Sequence, residues 1–303
     1  GSNNGGFISN GFAEAFKQLS FFVFKRPLHN LNIDEVLEAA PDIIFIYQTS
    51  QEDSALIYDY ALKCSPGTIF IHCSEFLNNI SEKFFNLKNH YIFSADSRNK
   101  KQTYVHSVSA SDYKTDFKGY KYKITFAGNP AEKDRETVLA ALVKNFGRIN
   151  IFCRSFDFYK SLEDIQKKKL LSDEETELYK KSYKGYVNKQ QELAEIYISS
   201  KINIDINSAD NISYRLLEIT ASGGFALASY SDKIIKQYNG GRDAETYKNT
   251  AELIDKAEFY LKHTDIADSI AARGRKNTLS SFSYCSRLDE MLRVIYGKNF
   301  NCR

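Results

Sequence analysis

The stretch from Lys201 to Ser229, KINIDINSADNISYRLLEITASGGFALAS, constrains the fold more than any other part of the chain. Ile202, Ile204 and Ile206 alternate with polar residues, the period of a strand. The polar run Asn207-Ser208-Ala209-Asp210-Asn211 breaks that period. Ser213 is a good N-cap for a helix that begins at Tyr214. Gly223-Gly224 stops the helix, because glycine takes the left-handed conformation that ends one. Phe225 to Ala228 then reads as a short buried strand. The result is a β-α-β unit whose loop lies at the carboxyl end of its first strand, where open parallel sheets bind ligands. Asp210 lies in the loop and Glu218 one turn into the helix. The N–H groups of Asn211, Ile212, Ser213 and Tyr214 form a seat for phosphate at the positive end of that helix.

At 303 residues the chain is long enough for two domains with separate cores. A net charge of +3, with bases spread among acids, is no nucleic-acid footprint. No apolar run reaches membrane-spanning length. The five cysteines are odd in number and widely spaced, which suits a reducing compartment and argues against a disulfide framework or a zinc site.

Strands alternate with helices along the whole chain. A glycine turn at Gly5-Gly6 leads into a helix through Leu19, with no strand ahead of it although one is expected there. Phe21 to Phe24, Ile43 to Tyr47, Thr68 to His72, Tyr91 to Ser94 and Val105 to Val108 read as strands, and Asp34 to Ala40 and Asp53 to Lys63 as helices. The polar run Ser109 to Tyr120 reads as a domain boundary. A second series follows: strand Lys123 to Ala127, helix Arg135 to Asn145, strand Ile149 to Cys153, and helix Lys189 to Ser200. The charged segment Leu162 to Lys181, with a capping box at Ser172-x-x-Glu175, reads as an inserted helical pair on the surface. Ala251 to Lys262, Ile266 to Arg275 and Arg287 to Tyr296 are the closing helices. Alternation of this kind predicts parallel sheets sandwiched between helices.

The Lys201–Ser229 stretch resembles the donor-binding segment of GT-B glycosyltransferases, in the group 1, family 4-like clan and its CgeB-like spore-maturation branch. That clan carries two acidic residues with seven between them, then Ala-x-x-Gly. Asp210 and Glu218 have that spacing, and Thr220-Ala221-Ser222-Gly223-Gly224 stands at the small-residue turn. Arg215 and Glu218 meet the CgeB-like Arg-x-x-Glu pattern. Asp210 replaces the usual Glu, and Ser213 replaces a usual Gly.

The resemblance implies a role for each of these positions. Glu218 would accept the ribose hydroxyls of a nucleotide, since its two oxygens suit a vicinal diol; otherwise it is a helix-start Glu stabilised by the dipole. Asp210 would contact the transferred sugar, or simply form an Asx turn. Arg215 would pair with a phosphate or with a neighbouring acid. Gly5 and Gly6 would let the backbone approach the diphosphate. His72, or Glu75 nearby, would face the donor sugar, although a lone strand-end His is more often structural. After Gly128-Asn129-Pro130 the clan's arginine is absent, so Lys133 and Arg135 are the substitutes on offer. Arg154 and Val187 stand where the clan contacts the base and ribose. There is no Asp-x-Asp metal motif, so cations and helix N-termini are the expected diphosphate device.

The implied fold is α/β of the GT-B type: two Rossmann-like domains with parallel sheets facing across a cleft. The expected division is 1–116 on the acceptor side, 117–285 for the nucleotide-sugar donor with a helical insertion near 160–185, and 286–303 crossing back. The implied activity is sugar transfer to a hydroxyl acceptor (a glycan, polymer or protein), retaining, without metal or other cofactor. No nucleic-acid partner and no membrane span are expected, peripheral membrane contact stays open, and the cytoplasm is the expected compartment. Two other readings remain: a GT-B-like nucleotide-sugar epimerase, or a catalytically silent binding module.

Overall fold

The computed structural model describes residues 4–25, 32–48, 50–52, 54–74, 77–94, 113, 115–207 and 212–297. The chain divides into two compact units, 1–107 with 282–303, and 108–281.

Unit 1 opens with α1 (Asn4–Gln18) and α2 (Ile33–Ala39), followed by β1 (Ile43–Tyr47), α3 (Ser54–Lys63), β2 (Ile69–Ser74) and β3 (His90–Ser94). The three strands pair in parallel in the order β1-β2-β3. Asn32 caps α2 by accepting the Asp34 N–H, and Ala40 ends it in the left-handed region. Gly5 and Gly6 lie within the first turn of α1, where a separate turn ahead of the helix was expected. Phe21 to Phe24 takes no regular structure, contrary to the strand reading. Ser20 adopts a φ of 66° and the Phe21 N–H closes on the Phe16 carbonyl at 2.9 Å, so these residues end α1. Phe22 is left 97% exposed. The strand expected at Val105 to Val108 falls outside the described residues.

Unit 2 is a five-stranded parallel sheet in the order β5-β4-β6-β7-β8. Its elements run β4 (Tyr122–Ala127), α4 (Arg135–Phe146), β5 (Asn150–Phe152), α5 (Ser155–Lys167), α6 (Asp173–Ser182), α7 (Gln190–Ile198), β6 (Ser200–Asp205), α8 (Tyr214–Ser222), β7 (Ala226–Ser229), α9 (Asp232–Tyr238), β8 (Glu245–Tyr247), α10 (Thr250–Lys262) and α11 (Thr264–Ser281). The alternating Ile124 and Phe126, with Ile202, Ile204 and Leu227, are buried in the core against helical Leu139, Val143, Leu253 and Ala257. The Ser172–Glu175 capping box forms. The pair it belongs to is not a surface insertion, however. Phe158, Leu162 and Ile165 of α5 and Tyr179 of α6 all lie in the main core, because each helix keeps one apolar stripe under its charged face. Both α9 and β8 go unread in the sequence, being too short to display a period.

The first strand of unit 2, β4, is an interior strand: its successor β5 lies on one side of it, and the third strand, β6, lies on the other. The winding therefore reverses between β4 and β6, which opens a crevice at their carboxyl ends. Ala127 and Asp205 end those two strands. The last helix, α12 (Tyr284–Tyr296), belongs to unit 1 and packs on α1. Gly11 has no Cβ because one would sit 2.2 Å from the Tyr284 ring. Among the described residues no helix is long and apolar enough to cross a membrane.

Candidate functional site at the carboxyl ends of β4 and β6

Asp205, the last residue of β6, is fully buried. A buried carboxylate needs donors, and it has two: the Ser213 hydroxyl donates to Oδ2 at 2.6 Å, and Arg215 donates to Oδ1 at 3.1 Å. Ser213 also accepts the Leu216 N–H at 2.9 Å, so one hydroxyl both caps α8 and ties it to β6. Arg215 reaches across to β4. Its Nε donates to the Ala127 carbonyl at 2.5 Å and its guanidinium lies 4.6 Å from the Phe126 ring centroid. A second cation comes from α4. Arg135 donates through Nε to the Ile206 carbonyl at 3.1 Å, and through one terminal nitrogen to Asn129 O at 3.1 Å and Glu132 at 2.9 Å. Arg215 approaches the same Ile206 carbonyl at 3.5 Å. The two guanidiniums thus converge on one backbone oxygen, with side chains only 13% and 12% exposed. Burial first, and the charge of Arg215 next, pull the Arg135 pKa below its ordinary value.

Gly128 makes this approach possible. Its φ is 147°, and a Cβ there would lie 2.1 Å from a terminal nitrogen of Arg215. Gly128→Ala is therefore expected to displace the guanidinium and cost about 1–3 kcal/mol in chemical denaturation. An unchanged midpoint would show that Arg215 does not need that space.

Glu218 lies on α8, one turn in. Tyr113 donates its hydroxyl to Oε1 at 2.8 Å. Burial pushes the Glu218 carboxyl up to about 7; Asp205 adds to that, while the Tyr113 hydrogen bond and Arg215 pull it down. The charge of this carboxyl is therefore adjustable around neutral pH.

The remaining sequence candidates are distributed unevenly. Ile212 is buried just ahead of α8, and Tyr214 is its first residue. Asp210, Asn211 and Glu75 lie outside the described residues. Lys133 is 54% exposed and pairs with Glu132 at 3.7 Å, so the cation offered after Gly128 is Arg135 rather than Lys133. Arg154 precedes α5 at the carboxyl end of β5, and its guanidinium lies 5.3 Å from the Tyr186 ring centroid. Val187 is partly buried in the loop before α7. Tyr183 to Gly185 runs beside β5, joined by Lys184 N–H to Ile151 O and Cys153 N–H to Gly185 O, both 2.9 Å. Gly5 and Gly6 belong to unit 1.

His72, also in unit 1, does not end its strand; β2 continues to Ser74. It is fully buried. Gln48 spends its amide nitrogen on Ser50 O and Ser54 Oγ, so its oxygen accepts from His72 Nε2 at 2.6 Å. His72 Nδ1 then accepts from His90 Nε2 at 3.0 Å. Burial, then the neighbouring His90, push the His72 pKa down to about 3. A neutral ring with both nitrogens engaged is that of a core histidine, and the ring has no nitrogen left for a sugar hydroxyl.

A protein-family model described as glycosyl transferase-like matches residues 135–293, more than half of the chain. The chain belongs to this glycosyl transferase-like family. It is accordingly an enzyme of the glycosyl-transferring class. A comparison with curated protein sequences gave no match. Among solved structures, a glycosyltransferase from Rickettsia africae is similar at 14% identity, covering 99% of this chain and 97% of that one, with a TM-score of 0.64. Sucrose-phosphate synthase from Thermosynechococcus elongatus is similar at 9% identity, covering 98% and 94%, with a TM-score of 0.65. Anabaena HepE, solved with UDP and glucose, is similar at 12% identity, covering 95% and 94%, with a TM-score of 0.63. TarM is longer: the chain covers 57% of it at 12% identity and a TM-score of 0.60. At these identities the likeness establishes the fold, the α/β architecture with parallel sheets of the GT-B glycosyltransferases.

Within this glycosyltransferase-like chain, sequence reasoning missed Asp205 and Tyr113. Asp205 had a faint signal, an acid between Ile204 and Ile206 at the end of an apolar strand. Tyr113 had none, since it lies in the polar run Ser109 to Tyr120 that reads as a boundary. Chemically, the site combines two partly buried cations and a helix start, which suit a diphosphate, with a carboxylate of adjustable charge one turn away.

Proposed function

We propose that the chain transfers a glycosyl group from a nucleoside-diphosphate sugar to a hydroxyl of a glycan, polymer or protein acceptor. The convergence of Arg135 and Arg215 on the Ile206 carbonyl, beside the start of α8, carries this reading. In the reaction the bond from the anomeric carbon to the diphosphate breaks and one to the acceptor oxygen forms. The acceptor hydroxyl proton leaves with a diphosphate oxygen. The barrier is lowered where charge grows, on the departing diphosphate. The two guanidiniums and the N–H groups of Ile212, Ser213 and Tyr214 neutralise it, without a metal, and Glu218 accepts from the ribose. The resemblance to the family 4-like clan is what supports a retaining outcome, which we assign on that ground. Arg215 and Glu218, as Arg-x-x-Glu, support the CgeB-like branch. Unit 1 is assigned the acceptor, and the free thiols of Cys64, Cys73, Cys153 and Cys285 favour the cytoplasm.

The HepE complex with UDP and glucose makes UDP-glucose the first donor to try. Incubated with UDP-, GDP-, ADP- and dTDP-sugars without acceptor, the protein is expected to release nucleoside diphosphate slowly from one of them. Tight binding with no release from any would favour a silent module. Conversion to an isomeric nucleotide sugar would favour an epimerase.

A further inference from the structure

Tyr113 is fully buried, stands well ahead of β4 in the chain, and spends its hydroxyl on a residue 105 positions away. Its acceptor is the carboxylate that the reading above gives to the ribose, and the present inference rests on that reading. A carboxylate has two oxygens, and a vicinal diol would use both. Here Oε1 is already taken, and among the described residues no hydrogen bond engages Oε2.

We propose that Tyr113 is a positioning residue for nucleoside binding: its hydroxyl fixes Oε1 of Glu218 and leaves Oε2 as the acceptor for a ribose hydroxyl. Three observations support it beyond the distance. Burial raises the Tyr113 phenol well above its ordinary value, so it stays a donor at all working pH. A donor on Oε1 stabilises the charged carboxylate, and only that form can accept from the ribose without a proton of its own. The other groups facing the carboxyl oppose one another: Arg215 on the same helix favours the anion, while Asp205 at the end of β6 disfavours it. Buried Tyr197 on α7, its phenol pushed well up by burial, adds no charge. Tyr113 is thus the neutral donor that tips Glu218 toward its charged form.

The test uses the whole chain and whichever of UDP-, GDP-, ADP- and dTDP-glucose binds tightest. The phosphates of a nucleotide sugar are diesters, so the ligand itself does not titrate near neutrality. Affinity is measured by calorimetry from pH 5.5 to 9. In the wild type it is expected to rise through a midpoint near 7. Tyr113→Phe removes one hydrogen bond to a charged group, which should move the midpoint up by roughly one pH unit. Binding at pH 6.5 should then fall close to tenfold, and binding at pH 9 should stay within about twofold of the wild type. Replacing tyrosine by 3-fluorotyrosine, a stronger donor of nearly the same size, should move the midpoint down and needs no truncation of the core. A uniform loss at every pH in Tyr113→Phe would make Tyr113 merely structural, and a uniform gain would make it a competitor of the ribose; either overturns the proposal. A flat wild-type profile, together with normal binding in Glu218→Gln, would instead overturn the assignment of Glu218 itself.

Discussion

Glu218→Gln is expected to bind nucleoside diphosphates about tenfold to a hundredfold more weakly than the wild type, the loss of one charge-assisted hydrogen bond to the ribose. Binding of inorganic pyrophosphate should be unchanged, because the two arginines and the α8 N–H groups remain. The same variant should melt no lower than the wild type at pH 8. The folded carboxyl titrates near 7, against an ordinary value of 4.5. Its protonated form is therefore favoured by folding, and that contribution is complete below about pH 4.5 and gone above about 7. The wild type should lose stability across that window as pH rises, and the glutamine variant, which has nothing to ionise, should not. A carboxylate that costs stability where it is charged is what a ligand-binding group looks like. Calorimetry and thermal melts at pH 5 and pH 8 check both halves. Normal nucleotide affinity in this variant would remove Glu218 from the site.

Asp205→Ala should be the most damaging single change in unit 2. Asp205 is fully buried and has Arg215 at 3.1 Å and the Ser213 hydroxyl at 2.6 Å. Removing it leaves Arg215 and Arg135 facing each other with no buried anion between them. Breaking a buried pair in this way costs about 3–5 kcal/mol, or roughly 10 °C in melting temperature for a unit of this size. The double change Asp205→Leu with Arg215→Met should restore much of that stability, since a well-packed apolar pair can replace a buried ion pair. It should not restore nucleotide binding. An Asp205→Ala variant with an unaltered melt would mean that water reaches the pair and that the arginines are not held as described.

The two predictions separate what holds the crevice together from what binds in it. Asp205, Ser213 and Gly128 act on the arginines and on α8: one supplies the counter-charge, one caps and ties, and one makes room. Glu218 is placed one turn later on the same helix, so the tie that fixes the phosphate seat also fixes the distance to the ribose acceptor.

The local periods of the sequence determined much of this protein. Alternating isoleucines made β6, Ser213 capped α8, and Gly223, at a φ of 83°, ended it. With the alternation of strands and helices, those signals already required a parallel α/β sheet and put a polar crossover at its carboxyl edge. Where local cues were short, overridden or absent, the reading failed: α9 and β8 show no period, Phe21 to Phe24 was taken up in ending α1, and the charged face of α5 and α6 hid their buried stripe. Only the tertiary structure decided which charges meet. Arg215 joins Ala127 across 88 positions and Tyr113 joins Glu218 across 105, while His72 turned inward to Gln48 and His90. Local pattern depends on neighbours three or four residues away. The strength of a buried charge depends on what the fold brings against it from far along the chain, and no local signal carries that.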